Sequence, residues 1–433
     1  MGNKVVTRFA PSPTGLPHLG TAMYALLNYI YARQNNGEVI LRSEDTDPIR
    51  SKPEYEEAIQ EGLAWIGIKP DKFYRQSERK EIYKKYIAKM VADKTAYISR
   101  EKNEEGIERD IVRFKNPNKV VTFHDIIRGD ISVDTTDLKD FVIARDLESP
   151  LYHLTVVVDD YEMRVTHIIR GEDGLANTPR QILIQEAIGA ERPVYAHYPF
   201  VLLKNRNKMG KRSGATSLQD YKMQGYLPEA IVNFIVLMAW HPKDDRELFL
   251  LEDLIREFQL ERIGKSGAIL DEDKLDWLNR EYIKKLSKEE IKKNILENLP
   301  ENMRNPKLVP IIFERISKWG DIKKLAEDGG LDLFFQAPEY QREKLIFKNC
   351  SPEKISNNLK MVHKALENLD ANNFTAENVK NLLMLLADAE GSRGEVLHPV
   401  RYALSGADKS PDPFIIAEII GKNETLSRLQ KAV

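Results

Sequence analysis

The sequence predicts an α/β protein: a parallel sheet interrupted by an α+β insertion and followed by a helical C-terminal half. Three observations carry that expectation. Strand-like hydrophobic runs alternate with amphipathic helical stretches as far as Ile66, a rhythm that needs crossover connections and therefore parallel strands. The rhythm lapses between about Gln76 and Pro150, where the charged stretch REKNEEGIERD and short strand-like runs around Val112 and Val142 appear. It resumes at Leu151, and beyond Leu218 no further strand–helix–strand unit follows.

In chain order, Lys4–Ala10 reads as a strand and the glycine/proline-rich PSPTGLPHLG as a loop. A helix follows from Thr21, with Ala22, Ala25, Leu26, Tyr29 and Ile30 on one face and Gly37 as its end. A second strand, Glu38–Arg42, runs into EDTDPIR. Ser51 and Glu54 have capping-box spacing ahead of a helix bearing Tyr55, Ala58, Ile59, Leu63 and Ile66. Past the insertion, Leu151–Val158 reopens the α/β rhythm and strand Val165–Arg170 leads through GEDG to a helix with Thr178 as cap and Pro179 in its first position. Tyr198–Leu203 reads as an apolar strand. Amphipathic helices dominate thereafter, as where Ser287 and Glu290 cap a helix bearing Ile291, Ile295 and Leu299, with Pro300 as the stop.

With 433 residues, 42% hydrophobic and 30% charged, the chain is long enough for two to four compact domains and has no apolar run near the length of a membrane span. The first strand begins at Lys4, which leaves no room for a signal or transit peptide, so the cytoplasm is the expected location. Cys350 is the single cysteine; an intrachain disulfide and a cysteine-rich zinc site are excluded, and a small buried hydrophobe is expected there. The 65 Lys+Arg against 67 Asp+Glu give a formal net charge of −2, so any nucleic-acid contact must come from local basic surface.

A strand, a glycine-rich turn and a helix together aim backbone N–H groups and a positive helix end at one point, where anionic phosphates can bind. The wider string from Arg8 through Ala10, Ser12, Thr14 and Gly15 to His18 and Gly20 resembles the first ATP motif of bacterial glutamyl-tRNA synthetases. These are class I aminoacyl-tRNA synthetases with a Rossmann-like catalytic sheet. Lys208-Met-Gly-Lys-Arg212 is similar to their second motif, K-[ML]-S-K-[RS]. IIRGEDGLANTPRQ is similar to I-R-G-E-D-H-x-x-N-T-P-R-Q, and HPVRYAL with IIGKNETLSRL to the end of their anticodon-binding domain.

The resemblance implies ATP-dependent activation of L-glutamate and its transfer to tRNA(Glu), with tRNA(Gln) as a possible second acceptor. The attacking carboxylate is already ionised at neutral pH, so no general base is needed and catalysis is charge stabilisation. By resemblance His18, Gly20, Lys208 and Lys211 carry the chemistry, while Thr14, Gly15, Asp173 and Arg212 join His18, Gly20 and Lys211 in holding ATP. Glu172 is expected beside the nucleotide as well. Arg8, Ala10, Ser12, Glu44, Tyr152 and Arg170 line the glutamate pocket. Glu44 takes the α-ammonium; Arg8 is the candidate for the side-chain carboxylate and Arg170 for the α-carboxylate, with the opposite assignment open. Magnesium arrives with ATP and no structural zinc is expected. A monomer without membrane contact is expected.

The implied domains are 1–85 and 151–215 for the two catalytic halves, 86–150 for a shortened acceptor-binding insertion, 216–288 for a stem-contact helical region and 289–433 for the anticodon-binding helices. A non-catalytic paralogue that binds tRNA or another partner is the rival reading. It is motivated by three departures from the family: Met23-Tyr24 where Arg-Thr is usual, Gly174 in place of histidine, and Gly210 in place of serine. Gly210 removes a hydroxyl and loosens the second loop. ATP–pyrophosphate exchange is therefore expected to be faster in Gly210→Ser than in the parent, and equal rates would refute that reading of Gly210.

Overall fold

The computed structural model describes residues 4–102, 106, 108–204, 206 and 216–433. They divide into two compact units, Met1–Lys284 and Lys285–Val433.

The first unit opens with β1 (Val6–Phe9), α1 (Leu19–Gln34), β2 (Glu38–Ser43), α2 (Pro53–Trp65) and β3 (Lys72–Arg75). The three strands form a parallel sheet in the order β1-β2-β3. All four residues of β1 are buried, as expected of a parallel strand covered on both faces. The intervening segment supplies α3 (Lys80–Ala92) and five strands, β4 (Ala96–Lys102), β5 (Glu108–Phe114), β6 (Val120–Asp125), β7 (Gly129–Asp134) and β8 (Phe141–Ala144). Of these, β4, β5 and β8 make an antiparallel sheet and β6–β7 a hairpin.

The chain then returns through α4 (Tyr152–Glu162), β9 (His167–Gly171), α5 (Thr178–Ile188) and β10 (Val194–Tyr198). β10 pairs in parallel with β9 and with the end of β6, giving a second sheet in the order β7-β6-β10-β9.

β1 and β9 lie side by side where the two sheets meet. The Thr166 amide donates to the Val6 carbonyl at 2.9 Å, and Asn28 of α1 donates to the Ile169 carbonyl at 2.9 Å. From this seam the chain moves outward in one direction through β2 and β3 and in the other through β10. A crevice outside the carboxyl ends of β1 and β9 follows, the place where open α/β sheets take ligands.

The valine-rich Leu151–Val158 reopens the α/β rhythm as helix α4: Leu154, Val157 and Val158 are buried against neighbouring elements, and that burial outweighs the β-preference of three consecutive valines. Several local expectations are corrected. Ser51 and Glu54 form no capping box. Lys52 is the cap residue without a side-chain bond, and Pro53 starts the helix with its preset φ. Thr178 is the first residue of α5 and Asn177 its cap, which leaves the Thr178 hydroxyl for other partners. Helix α1 ends at Gln34, two residues before Asn36 takes the left-handed conformation (φ 51°). Gly37 is needed for a different reason, since a Cβ there would lie 2.4 Å from the Val5 carbonyl oxygen. The apolar run Tyr198–Leu203 is broken, its end forming β11 (Val201–Leu202) paired with β12 (Ala268–Ile269). Cys350 is half-buried rather than buried.

Beyond β11 the unit continues with α6 (Leu218–Met223), α7 (Pro228–Ala239), α8 (Leu251–Glu257) and α9 (Glu272–Ile283). The second unit is helical from α10 (Lys288–Asn298) to α16 (Pro413–Ala432) among its described elements. The Ser287–Glu290 capping box forms as the sequence indicates. Arg428 is almost fully buried within this unit and donates to the carbonyls of Leu333 and Leu404.

Candidate active site

A cavity of about 380 Å³ opens at the carboxyl ends of β1 and β9. Its first wall is the loop after β1. That loop is tied to the segment after β2 by hydrogen bonds from the Glu44 amide to Pro11 O at 2.9 Å and from the Lys52 amide to Pro13 O at 3.0 Å. Ala10, Ser12, Gly15, His18 and Gly20 all line the cavity; Thr14 does not, and its amide bonds the Ser12 carbonyl at 2.8 Å.

His18 is the N-cap of α1. Its Nδ1 accepts from the Thr21 amide at 3.3 Å, and the Thr21 hydroxyl accepts from the His18 amide at 3.4 Å. Because Nδ1 is an acceptor, the neutral ring carries its proton on Nε2, which makes that nitrogen a donor at a positive helix end. Gly20 keeps the first turn open for the ring, since a Cβ there would lie 3.0 Å from His18 Cε1 and Nδ1.

On the floor, Arg8 of β1 is 1% exposed. Its Nε donates to Asp160 at 3.2 Å and its Nη1 to the Tyr24 hydroxyl at 2.9 Å. Glu44 follows β2, and one of its oxygens accepts from Arg42 Nη2 at 3.2 Å. Burial pushes the Glu44 carboxyl above the ordinary glutamate range, and the charges of Arg42 and Arg8 do not fully offset it. A cation placed in the cavity would supply the missing positive charge.

Arg170, at the end of β9, is buried and lines the cavity. It donates from Nε to His197 Nε2 at 3.0 Å, and from Nη2 to the Gly174 carbonyl, the Thr178 hydroxyl and Gln181 Oε1 at 2.8–3.0 Å. His197 in turn donates from Nδ1 to Asp125 at 2.6 Å. All of the hydrogen-bond partners of Arg170 among the described residues are neutral, so the pairing with a carboxylate expected of a structural arginine is not seen. A negative charge, the Asp125 carboxylate, reaches Arg170 only through the His197 ring, so the guanidinium makes no direct ion pair among the described residues. Tyr152, at the start of α4, is 44% exposed and lines the cavity, so it is not core. Asp173 also lines the cavity, whereas Glu172 is engaged by Arg128 at 2.6 Å and by the Phe200 amide at 2.9 Å.

Lys208, Gly210, Lys211 and Arg212 lie outside the described residues.

The tRNA synthetases class I (E and Q) catalytic-domain family matches residues 4–110 and 99–277, and the anticodon binding domain family matches residues 257–433. The chain is 37% identical over 480 residues to glutamate–tRNA ligase 2 of Thermoanaerobacter pseudethanolicus, covering 100% of this chain and 98% of that one. The chain belongs to the class I glutamyl- and glutaminyl-tRNA synthetases. It is also 44% identical over 321 residues to the glutamate–tRNA ligase of Aquifex aeolicus, 66% of this chain and 68% of that one. A glutamate tRNA ligase of Elizabethkingia meningosepticum, solved in complex with its amino acid, superposes with a TM-score of 0.88 at 34% identity over 99% of both chains.

Two of the synthetase's departures from the family motifs have structural consequences. Met23 is 1% exposed and lines the cavity with apolar surface, while Tyr24 gives Arg8 a neutral acceptor and sets its ring edge-on to Phe9 at 5.0 Å. Gly174 makes room for Arg170, because a Cβ there would fall 2.3 Å from its Nε. Sequence reasoning missed Tyr24, Arg42, Asp160 and His197. The adjacent carboxylates of Val156-Val-Val-Asp-Asp160 and the arginine two residues before Glu44 were the available signals.

Gly174→Ala forces Arg170 off His197 and is expected to cost about 1–3 kcal/mol of stability. Urea unfolding of the variant against the parent measures this. Equal midpoints would show that Arg170 is not held in this place.

Proposed function

We propose that the chain is a glutamate–tRNA ligase that forms glutamyl-adenylate from L-glutamate and Mg-ATP and passes the glutamyl group to the terminal adenosine of tRNA(Glu). The observation that carries this reading is the single cavity uniting two buried arginines, a carboxylate short of positive charge and a histidine donor at a helix N-terminus.

In this reading Glu44 takes the α-ammonium, Arg8 the side-chain carboxylate and Arg170 the α-carboxylate, with Ala10, Ser12 and Tyr152 shaping the pocket between them. The α-carboxylate oxygen attacks the α-phosphorus and pyrophosphate leaves. No general base takes part. The His18 Nε2 proton and the backbone near Gly20 meet the charge that grows on the phosphate oxygens; Thr14, Gly15 and Asp173 complete the ATP site. Lys208, Lys211 and Arg212 are assigned to the departing pyrophosphate from their motif alone. Magnesium is carried by the nucleotide as part of the substrate, held largely by phosphates and water.

The tRNA then presents its terminal hydroxyl to the activated carbonyl. Residues 86–150 are assigned to its acceptor end, 216–288 to its stem and 289–433 to its anticodon, with catalytic halves at 1–85 and 151–215. No helix of the described residues is long and apolar enough to cross a membrane.

ATP–pyrophosphate exchange in the presence of tRNA(Glu) is expected to require L-glutamate, and His18→Ala to slow it by about 10²–10³-fold. A protein that binds tRNA but never exchanges would replace this reading with that of a non-catalytic paralogue.

A further inference from the structure

Neighbouring carboxylates on α4 serve two different parts of the molecule. Asp159 is fully buried and accepts from Gln76 Nε2 at 2.9 Å, Arg79 Nε at 2.7 Å and the Tyr83 hydroxyl at 2.8 Å, all in the segment leading into the insertion, and stands 3.8 Å from Arg42 Nε without touching Arg8. Asp160, 4% exposed, turns the other way. One of its oxygens accepts from both Arg8 Nε at 3.2 Å and Arg42 Nη1 at 2.7 Å, and Arg42 Nη2 continues to Glu44 at 3.2 Å. Asp160 is absent from the walls of the active-site cavity and lines a separate cavity at the amino ends of β1, β2, β9 and β10. It therefore reaches the substrate only through other side chains.

We propose that Asp160 is the positioning residue of the amino-acid pocket, placing Arg8 directly and Glu44 through Arg42, so that one carboxylate fixes both its anion-binding and its ammonium-binding ends. Guanidinium forks are directional, and a buried one is aimed by whichever acceptor holds its remaining nitrogens. With Asp160 on Nε and Tyr24 on one N–H of Nη1, Arg8 is left with Nη2 and the second N–H of Nη1 for a ligand, since no other hydrogen bond of Arg8 occurs among the described residues. Arg42 takes no place in the cavity wall either; it is a spacer that converts the position of Asp160 into that of Glu44.

The inference rests on the glutamate-ligase reading and is specific in its kinetics. Arg8 and Glu44 are assigned to the side-chain carboxylate and the ammonium, neither of which reacts, so misplacing them weakens ground state and transition state alike. In tRNA-dependent pyrophosphate exchange, Asp160→Asn is expected to raise KM for L-glutamate by about 10- to 100-fold while kcat and KM for ATP stay within about 3-fold. Asp160→Glu restores the charge and is expected to recover part of that loss. Asp159→Asn, which removes only the longer contact to Arg42 and none to Arg8, is expected to lower the thermal midpoint and to raise KM for glutamate less than Asp160→Asn does.

An unchanged KM for glutamate in folded Asp160→Asn overturns the proposal. So does an equal deterioration of KM for glutamate, KM for ATP and kcat, which is the mark of a merely structural role. Should Asp160→Asn fail to fold by circular dichroism, Asp160→Glu decides: a raised KM for glutamate alone supports the proposal and a parental KM overturns it. A parent that never exchanges with glutamate removes the ligase reading and this inference with it, whereas an active parent with indifferent Asp160 variants removes the inference alone.

Discussion

The geometry of the site depends on a carboxylate that no substrate touches. Asp160 sits between the guanidiniums of Arg8 and Arg42 in an environment almost closed to water. Burial alone would push its carboxyl up, but the charges of Arg8 and Arg42 outweigh it and hold the group below the ordinary carboxylate range. It sets a negative charge between two buried guanidiniums, and Arg42 is further offset by Glu44 and Asp159. Removing one member of such a buried set typically costs about 3–5 kcal/mol, so its persistence in the interior calls for a return in function. Here the return is rigidity at the two ends of a pocket for a doubly charged amino acid.

The second arginine is held by different means. Arg170 rests on the neutral ring of His197, itself bound to the Asp125 carboxylate, and on Gly174, Thr178 and Gln181. Burial lowers the pKa of His197 more than the Asp125 carboxylate raises it, so the ring stays neutral and can accept from the arginine. Arg8 thus meets its carboxylate directly, at Asp160, while Arg170 meets Asp125 only through the neutral His197 ring. That asymmetry favours unequal roles for the two, with Arg170 suited to the carboxylate that must be held while it reacts.

Much of this was readable in the sequence, and the limits have physical causes. The loop from Arg8 to Gly20 declared itself because its glycines, histidine and arginine answer to phosphate and carboxylate chemistry at fixed spacing. Glu44 and Arg170 followed from the same motif pattern. What escaped was the support. Asp160 lies two residues beyond three consecutive valines whose β-preference runs against a helix, and only the helix brings its side chain to β1 and β2 from more than a hundred residues away. Tyr24 looked like the loss of a contact because a sequence shows what a position lacks, not that its hydroxyl meets Arg8. Gly174 likewise read as a missing histidine until the space it leaves proved to be occupied by Arg170. Local cap signals split for a similar reason: Ser287 had only Glu290 to answer, whereas Ser51 was overruled by Pro53.

The most direct test is a crystal structure of the protein with L-glutamate bound. The account predicts the side-chain carboxylate on Arg8 Nη2, the ammonium on Glu44 and the α-carboxylate on Arg170, with Asp160 still joined to both Arg8 and Arg42. Glutamate bound elsewhere in the cavity, or an Arg8 that abandons Asp160 to reach it, would contradict the claim that the buried carboxylate sets the pocket before the substrate arrives.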